Sequence, residues 1–450
     1  MRKYFRYVWI LPLLLILAVG VYFIPPVHER LAWRVDDVRA RIKYFFNPPD
    51  QAVFQPGGGT NLTIETVIAT TRAEYQLTLT PQAIVPTLVT STPQPGPTPV
   101  PTITPTPLPA SVTLKGVKYE DQNNRWNYCG PTNFSMALTF WGWKGNRDVV
   151  GKAVMPGNTS NIGLPANKDK NVMPYEFQDF ITENVPELSS VMRYGGDIDM
   201  LKRFLAAGFP VVIEKGYYEQ DYTGKVSWMG HYQFITGYDD VSHEVIVQDT
   251  YHDGPNFHIN YEKLKEGWRS FNYLFVVVYP VKRENDVLTL LGNLADQDTA
   301  SRHALSVAEM EGKSLTGIDR FFAWFNMGTS HVALHEYVDA AAAYDNAFSI
   351  YNRLESNSTT RPYRMMWYQT GPYFAYFYSN RYADVINLAT TTLEDTIASP
   401  DLEESLLWRG RAYYMAGQTD LAVKDYRAAL IVHPKWQPSL QALQDLGVQP

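Results

Sequence analysis

Trp126-Asn127-Tyr128-Cys129-Gly130-Pro131 contains the only cysteine in a chain of 450 residues. Gly130 and Pro131 punctuate a loop, and proline is favoured at the first position of a helix. Phe134, Ala137, Leu138 and Trp141 then recur at helical spacing, which gives one apolar face. Cys129 is therefore expected at, or just before, a helix N-terminus. Unpaired N–H groups and the positive end of the helix dipole favour a thiolate there. A lone cysteine is more often an inert buried side chain. Residues far downstream decide between the two.

Residues 111–283 alternate short helix and strand patterns. Lys202-Arg-Phe-Leu-Ala-Ala-Gly208 ends a helix at its glycine, and Pro210-Val-Val-Ile-Glu214 reads as a buried strand. His231-Tyr-Gln-Phe-Ile-Thr-Gly-Tyr238 and Glu244-Val-Ile-Val-Gln-Asp249 are two arms of a hairpin around the turn Asp239-Asp240-Val241-Ser242. Leu274 to Tyr279 is a last apolar strand. Helix first and antiparallel strands later is an α+β order. His231 and Asp249 are equidistant in sequence from residue 240, which places them opposite one another within a residue or so of register. Opposite residues share a face at about 4.5–5.5 Å between Cβ atoms. An acid at that reach holds one imidazole nitrogen and leaves the other to take a thiol proton.

Asn127-Tyr-Cys-Gly-Pro131, Gly230-His-Tyr-Gln-Phe-Ile-Thr-Gly-Tyr-Asp-Asp240 and Val245-Ile-Val-Gln-Asp249 resemble the three motifs of the C-thirty-nine peptidases and their relatives. The resemblance covers roughly residues 112–280 and implies a papain-like fold. It implies Cys129 as nucleophile, His231 as base and Asp249 as the acid that orients it. The family has a Gln a few residues before the cysteine, donating to the oxyanion. Here Gln122 is seven residues upstream and Arg125 four. Both are donors, and Gln122 is the preferred one. Family members that cut bacteriocin leaders are fused to a transporter ATPase. No phosphate-binding Gly-rich loop with Lys occurs here, so leader cleavage is not carried over. Trp228 and Tyr232, beside His231, are candidates to line a substrate groove, although such residues are core more often than not. His243, His252 and His258 read as loop or surface residues. No spacing suggests a metal or a cofactor.

Working outward, Arg2, Lys3 and Arg6 precede an uncharged run from Val8 to Ile24 that is just long enough to span a bilayer. Ala18-Val19-Gly20 also suits a signal-peptide cleavage site, but the apolar run continues past it and favours a retained anchor. Arg30, Arg34, Arg39, Arg41 and Lys43 come closely after. They compete with the N-terminal cluster under the positive-inside rule unless 26–47 is an amphipathic helix lying on the membrane surface, with Leu31, Val35, Val38 and Ile42 on its apolar face. Residues 48–110 show no core element and close in Thr/Pro alternation, which prefers extended polyproline II. At about 3.1 Å per residue, the last 20 residues of this linker would reach on the order of 60 Å. Such a spacer suits a domain held out from the cell.

From about residue 284 the chain reads as helix throughout. Trp324, Met327, Gly328, Tyr337, Ala340, Tyr344 and Ala347 set a spacing that Trp367, Gly371, Phe374 and Ala383 take up 43 residues on. Leu406, Gly410, Tyr413, Gly417, Ala422, Tyr426, Ala429 and Pro434 take it up again 39 residues later. This resembles the tetratricopeptide pattern of paired helices, with a degenerate middle copy. The whole chain also resembles membrane-anchored bacterial proteins that carry such a peptidase domain before tetratricopeptide units.

The net charge of −7, with no basic cluster among aromatics, argues against nucleic acid. One cysteine excludes an internal disulfide and a cysteine-rich zinc site. The expected organisation is a cytoplasmic N-terminus at 1–6, a transmembrane anchor at 7–25, a juxtamembrane helix at 26–47 and a Thr/Pro-rich linker at 48–110. An α+β papain-like domain at 111–283 precedes all-α helical repeats at 284–450. The expected function is a single-pass cell-membrane cysteine peptidase with its globular domains outside the cytoplasm. It would act on a peptide or protein, and its repeats would scaffold or bind a protein partner. A non-catalytic binding protein and a same-fold acyltransferase are the alternatives.

Overall fold

The computed structural model describes residues 10–57, 107–123, 125, 127–156, 172–220, 224–399 and 401–450. Trp126, the basic residues before the apolar run and most of the Thr/Pro run lie outside the described residues. The apolar run is represented by α1, Ile10–Tyr22, and the amphipathic segment by α2, Pro25–Phe46. Among the described residues no helix is long and apolar enough to cross a membrane. In α2, Leu31, Val35, Val38 and Ile42 are exposed, while Ala40 and Tyr44 are buried.

Those two residues dock the helix on the C-terminal half. Tyr44 Oη donates to the Thr396 carbonyl at 3.0 Å and Lys43 Nζ to that of Ile397 at 2.6 Å. The chain continues along the same body through a 3-10 turn at Pro49–Gln51. The Asp50 carbonyl accepts from Ser356 Oγ at 3.1 Å and from Arg361 Nη1 at 2.9 Å. Phe54 stands edge-on to Phe348 at 4.9 Å between ring centres. The start of the expected linker is therefore part of a core, because one aromatic anchor fills a gap that a Pro/Gly-rich context does not advertise.

The sheet domain comprises β1 Ser111–Thr113, α3 Cys129–Phe140, α4 Arg147–Val154, α5 Pro174–Asn184, β2 Leu188–Arg193, α6 Ile198–Ala206 and β3 Val211–Gln220. It continues with β4 Val226–Asp239, β5 Glu244–Gln248, β6 Phe257–Asn260, α7 Tyr261–Arg269 and β7 Phe275–Pro280. The strands form one antiparallel sheet in the order β2-β7-β3-β4-β5-β6, with β1 added against the end of β4. Strand alternation splits the side chains between two cores. Val212, Phe234, Val276 and Val278 face α3 and α5, while Val211, Ile213, Ile235 and Val277 face α6 and α7.

The helical region comprises α8 Glu284–Leu291, α9 Gln297–Ser314, α10 Gly317–Ala333, α11 Tyr337–Tyr351, α12 Met365–Tyr368, α13 Gly371–Tyr378 and α14 Tyr382–Thr391. A π-helical turn at Thr392–Thr396 leads to α15 Glu403–Met415, α16 Thr419–Val432 and α17 Gln437–Asp445. The recurring glycines have a steric reason. A Cβ on Gly328 would lie 2.6 Å from the Tyr344 ring, and one on Gly410 would lie 2.6 Å from that of Tyr426. In the degenerate middle copy, Gly371 instead makes room for the Tyr344 hydroxyl of the preceding pair.

Helical region and sheet domain are packed together. Arg269 bridges to Glu311 at 2.9 Å and to Asp319 at 3.0 Å. The stretch between α11 and α13 reaches onto β4: Ser358 Oγ donates to the Val226 carbonyl at 2.7 Å, and Arg364 bonds Ser227 Oγ.

Candidate active site

Cys129 is the first residue of α3, as its Gly-Pro context predicts. The Thr132 N–H returns to the Tyr128 carbonyl at 2.9 Å and closes the first turn. The N–H groups of Cys129 and Gly130 precede any intrahelical partner and point out of the helix end. Asn133 fixes this end against β4. Its Nδ2 donates to the carbonyls of Cys129 at 2.7 Å and Tyr232 at 2.9 Å. Gly130 permits the approach, since a Cβ there would meet the Phe177 ring at 2.7 Å and the Tyr232 ring at 3.2 Å. The nucleophile candidate and the residue next to His231 are thereby stapled together.

His231 is buried in β4, with the Tyr217 ring centre 5.2 Å away. Its Nε2 lies 3.5 Å from Asp249 Oδ2. The expected register differs in detail. Phe234 pairs with Gln248, and a bulge between Ile235 and Gly237 shifts the pairing. Asp249, just past β5, thus falls opposite Gln233, and it reaches His231 diagonally on the same face. Gln233 Nε2 donates to Asp249 Oδ2 at 3.1 Å. Asp249 Oδ1 accepts the backbone N–H groups of Tyr251, His252 and Asp253 at 2.9, 3.0 and 3.3 Å.

These contacts set the charges. Burial pushes the Cys129 thiol up, but the hydrogen bond and charge of His231, with the N–H groups of Tyr232 and Gly130, bring it below its ordinary value. Burial pushes His231 down, and Asp249 and Cys129 outweigh it to raise the imidazole to about 9. Burial also raises Asp249, yet His231 and the donating backbone hold it well below the usual carboxylate range. Thiolate, imidazolium and carboxylate are the forms these partners favour.

Gln122 is built in beside them. Its N–H donates to the Thr250 carbonyl at 2.7 Å, and Thr250 Oγ1 donates to its Oε1 at 2.8 Å. That fixes the amide oxygen and turns the NH2 end away from Thr250. Arg125 is committed elsewhere. Its Nε and Nη2 hold the two oxygens of Asp148 at 2.7 and 3.1 Å, so its fork is not offered to an oxyanion.

Trp228 and Tyr232 do not line a groove. Both are buried, Trp228 against Phe271 and Tyr368, and Tyr232 between Phe134 and Phe177. His243 is exposed; His252 pairs with Glu219 at 3.3 Å and His258 with Glu244 at 3.0 Å. Four neighbours of the site escape sequence reasoning. Asn133 and Gln233 position the helix and the acid. Glu214, paired with Tyr232 across β3 and β4, is buried, and its burial and the charge of Cys129 hold its carboxyl well above the usual range. Tyr368 comes from the helical region and stands over Gly230, where a Cβ would meet its ring at 3.0 Å. Nothing in the sequence singles it out from the repeat positions Trp367 and Gly371 on either side.

Residues 114–275 match the Peptidase_C39 like family. Among solved structures, a candidate C39-like peptidase from Bacillus anthracis is similar at 18% identity and a TM-score of 0.29, over 38% of this chain and 97% of that one. Xylellain, a cysteine protease from Xylella fastidiosa, is similar at 18% identity and a TM-score of 0.30, over 39% of this chain and 87% of that one. No curated protein matches the chain. The antiparallel sheet domain is consistent with a papain-like fold, and residues 114–275 are a Peptidase_C39-like domain followed by a helical C-terminal region.

Proposed function

We propose that the sheet domain is a cysteine peptidase that hydrolyses peptide bonds through Cys129, His231 and Asp249. The observation that carries this reading is the contact of Asp249 with His231 Nε2 at 3.5 Å. It leaves the Nδ1–H of the imidazolium for the thiolate at the start of α3. The Cys129 sulfur attacks the substrate carbonyl, and the oxyanion is met by the Cys129 N–H and the Gln122 amide. The imidazolium passes its proton to the leaving amine as the C–N bond breaks. A water then attacks the thioester, with His231 as base, and releases the acid and the free thiol.

The rest of the chain is read as support for that reaction. The helical region is a tetratricopeptide-like scaffold with room for a protein partner, and the N-terminal segment is a single-pass anchor that leaves the globular part outside the cytoplasm. A library of quenched-fluorescent peptides tests the activity, with Cys129→Ala as control. Cleavage that vanishes in the variant supports hydrolysis at this cysteine. Product trapped by an added amine instead of water would make it a transferase, and no turnover with an unreactive native thiol would overturn catalysis altogether.

A further inference from the structure

A second buried constellation lies away from the cysteine, where the sheet domain meets the helical region. Glu176 is in the first turn of α5, Glu403 opens α15, and His433 directly follows α16. One donor atom from each lies within 4.8 Å of the other two. His433 Nδ1 is 3.6 Å from Glu403 Oε1 and 3.8 Å from Glu176 Oε1. Glu176 gives its other oxygen, Oε2, to the Met173 N–H at 2.7 Å. Glu403 is 0% exposed, and neither of its carboxylate oxygens has a hydrogen-bond partner. Glu404 and Asp401, both buried, add further negative charge beside them, and Tyr175 Oη donates to Glu404 at 3.4 Å.

Buried carboxylates are neutralised by a proton, a cationic side chain or a metal ion. A proton on Glu403 would need an acceptor at hydrogen-bond distance, and 3.6 Å is too long for one. No lysine or arginine pairs with Glu176 or Glu403 among the described residues; the pairs they make are with His433. The gaps of 3.6 and 3.8 Å suit ligands that surround one ion. Tetrahedral ligands at about 2.0–2.1 Å from zinc lie roughly 3.3 Å apart, so each carboxylate stands within a few tenths of an ångström of ligand spacing from His433 Nδ1. Two oxygens and one imidazole nitrogen fit a borderline divalent ion rather than calcium or magnesium, which take oxygen shells.

We propose that Glu176, Glu403 and His433 bind one divalent transition-metal ion, of which zinc is the type. The ion joins α5 of the sheet domain to α15 and the end of α16. Phe177 of α5 stacks on Phe134 of α3 at 3.9 Å, so the clamp also braces the helix that begins with Cys129. The ion is structural and takes no part in bond making.

Metal titration of the chelator-stripped, detergent-purified full chain tests this, in a Cys129→Ala background so that the thiol does not compete. Co2+ is expected to give visible d–d bands that saturate at one equivalent and are displaced by Zn2+ but not by Mg2+ or Ca2+. Glu403→Gln, which keeps the shape, is expected to weaken Zn2+ binding on the order of a hundredfold. Zn2+ should raise the melting temperature of the parent and not of the variant. His433→Asn gives an independent arm if Glu403→Gln does not fold. Absence of saturable binding, or binding equal in parent and variants, overturns the site; displacement by Mg2+ or Ca2+ overturns its assigned class.

Discussion

Gln233, not His231, stands across the β4–β5 pair from Asp249, and its amide donates to Asp249 Oδ2 at 3.1 Å. The imidazole therefore shares that oxygen with a neutral clamp, while three backbone N–H groups hold the other one. Asp249 is fixed before any substrate arrives.

Asp249→Asn is expected to lower kcat/KM by about three to four orders of magnitude with the fold intact, because an amide no longer holds the imidazole in its proton-accepting tautomer. Gln233→Leu removes one neutral donor and should cost only about tenfold. Peptide kinetics alongside circular dichroism separate the two. Equal losses would give Gln233 a role of its own, and no loss in Asp249→Asn would leave the acid purely structural.

Charge state is set by the same contacts. With Cys129 below its ordinary value and His231 raised to about 9, a thiol-directed probe should label nearly as fast at pH 6 as at pH 8. Peptide hydrolysis should decline as pH rises through about 9, where the imidazolium that protonates the leaving amine is lost. In His231→Ala only the Tyr232 and Gly130 N–H groups oppose burial, so labelling should regain a steep rise with pH. A flat profile in that variant would show that the helix end, not His231, sets the thiolate.

Stability carries the opposite limbs. His231 is raised in the folded state, so its stabilisation is complete below an unfolded value of about 6.5 and is lost as pH rises through about 9. Asp249 is depressed, so its stabilisation is complete above about 4 and is lost as pH falls through its folded value. Denaturant midpoints of the parent and Asp249→Asn should differ most between about pH 4 and pH 6.5 and converge above pH 9. A difference that does not change with pH would remove the His–Asp pair as its source.

Gly130→Ala places a Cβ 2.7 Å from the Phe177 ring and should cost about 1–3 kcal/mol in urea unfolding. Phe177→Leu in the same chain should recover part of that loss, a coupling that a double-mutant cycle reads directly. Additive losses would mean that the glycine is needed for something other than the ring.

Tyr368 tests the contribution of the helical region. Tyr368→Ala opens the wall over Gly230 and should raise KM for peptides with little change in kcat, leaving thiol labelling unaltered. A fall in kcat with KM unchanged would place this ring on the reacting atoms instead.

The sequence exposed the chemistry better than its surroundings. Cys129, His231 and Asp249 sit in short motifs whose residue types report local geometry: a Gly-Pro helix start, and the two arms of a hairpin. The bulge at Ile235/Gly237 has no such signature, so the register that puts Gln233 opposite Asp249 was invisible. Of the two readings open for Trp228 and Tyr232, groove and core, the structure shows core, because adjacency to His231 does not tell what covers a side chain. α12 and Tyr368 cover that end of β4, and α3 and α5 cover Tyr232. Glu176, Glu403 and His433 come from three distant segments, and only packing brings them together.

Phe54 changes how α2 stands to the candidate active site. The chain is docked on the helical region through Phe54 and Gly57, and it is docked again on the sheet at Pro109, whose carbonyl accepts from Tyr238 Oη at 2.6 Å. With both ends held on one body, the place of α2 relative to Cys129 is set by these packed contacts.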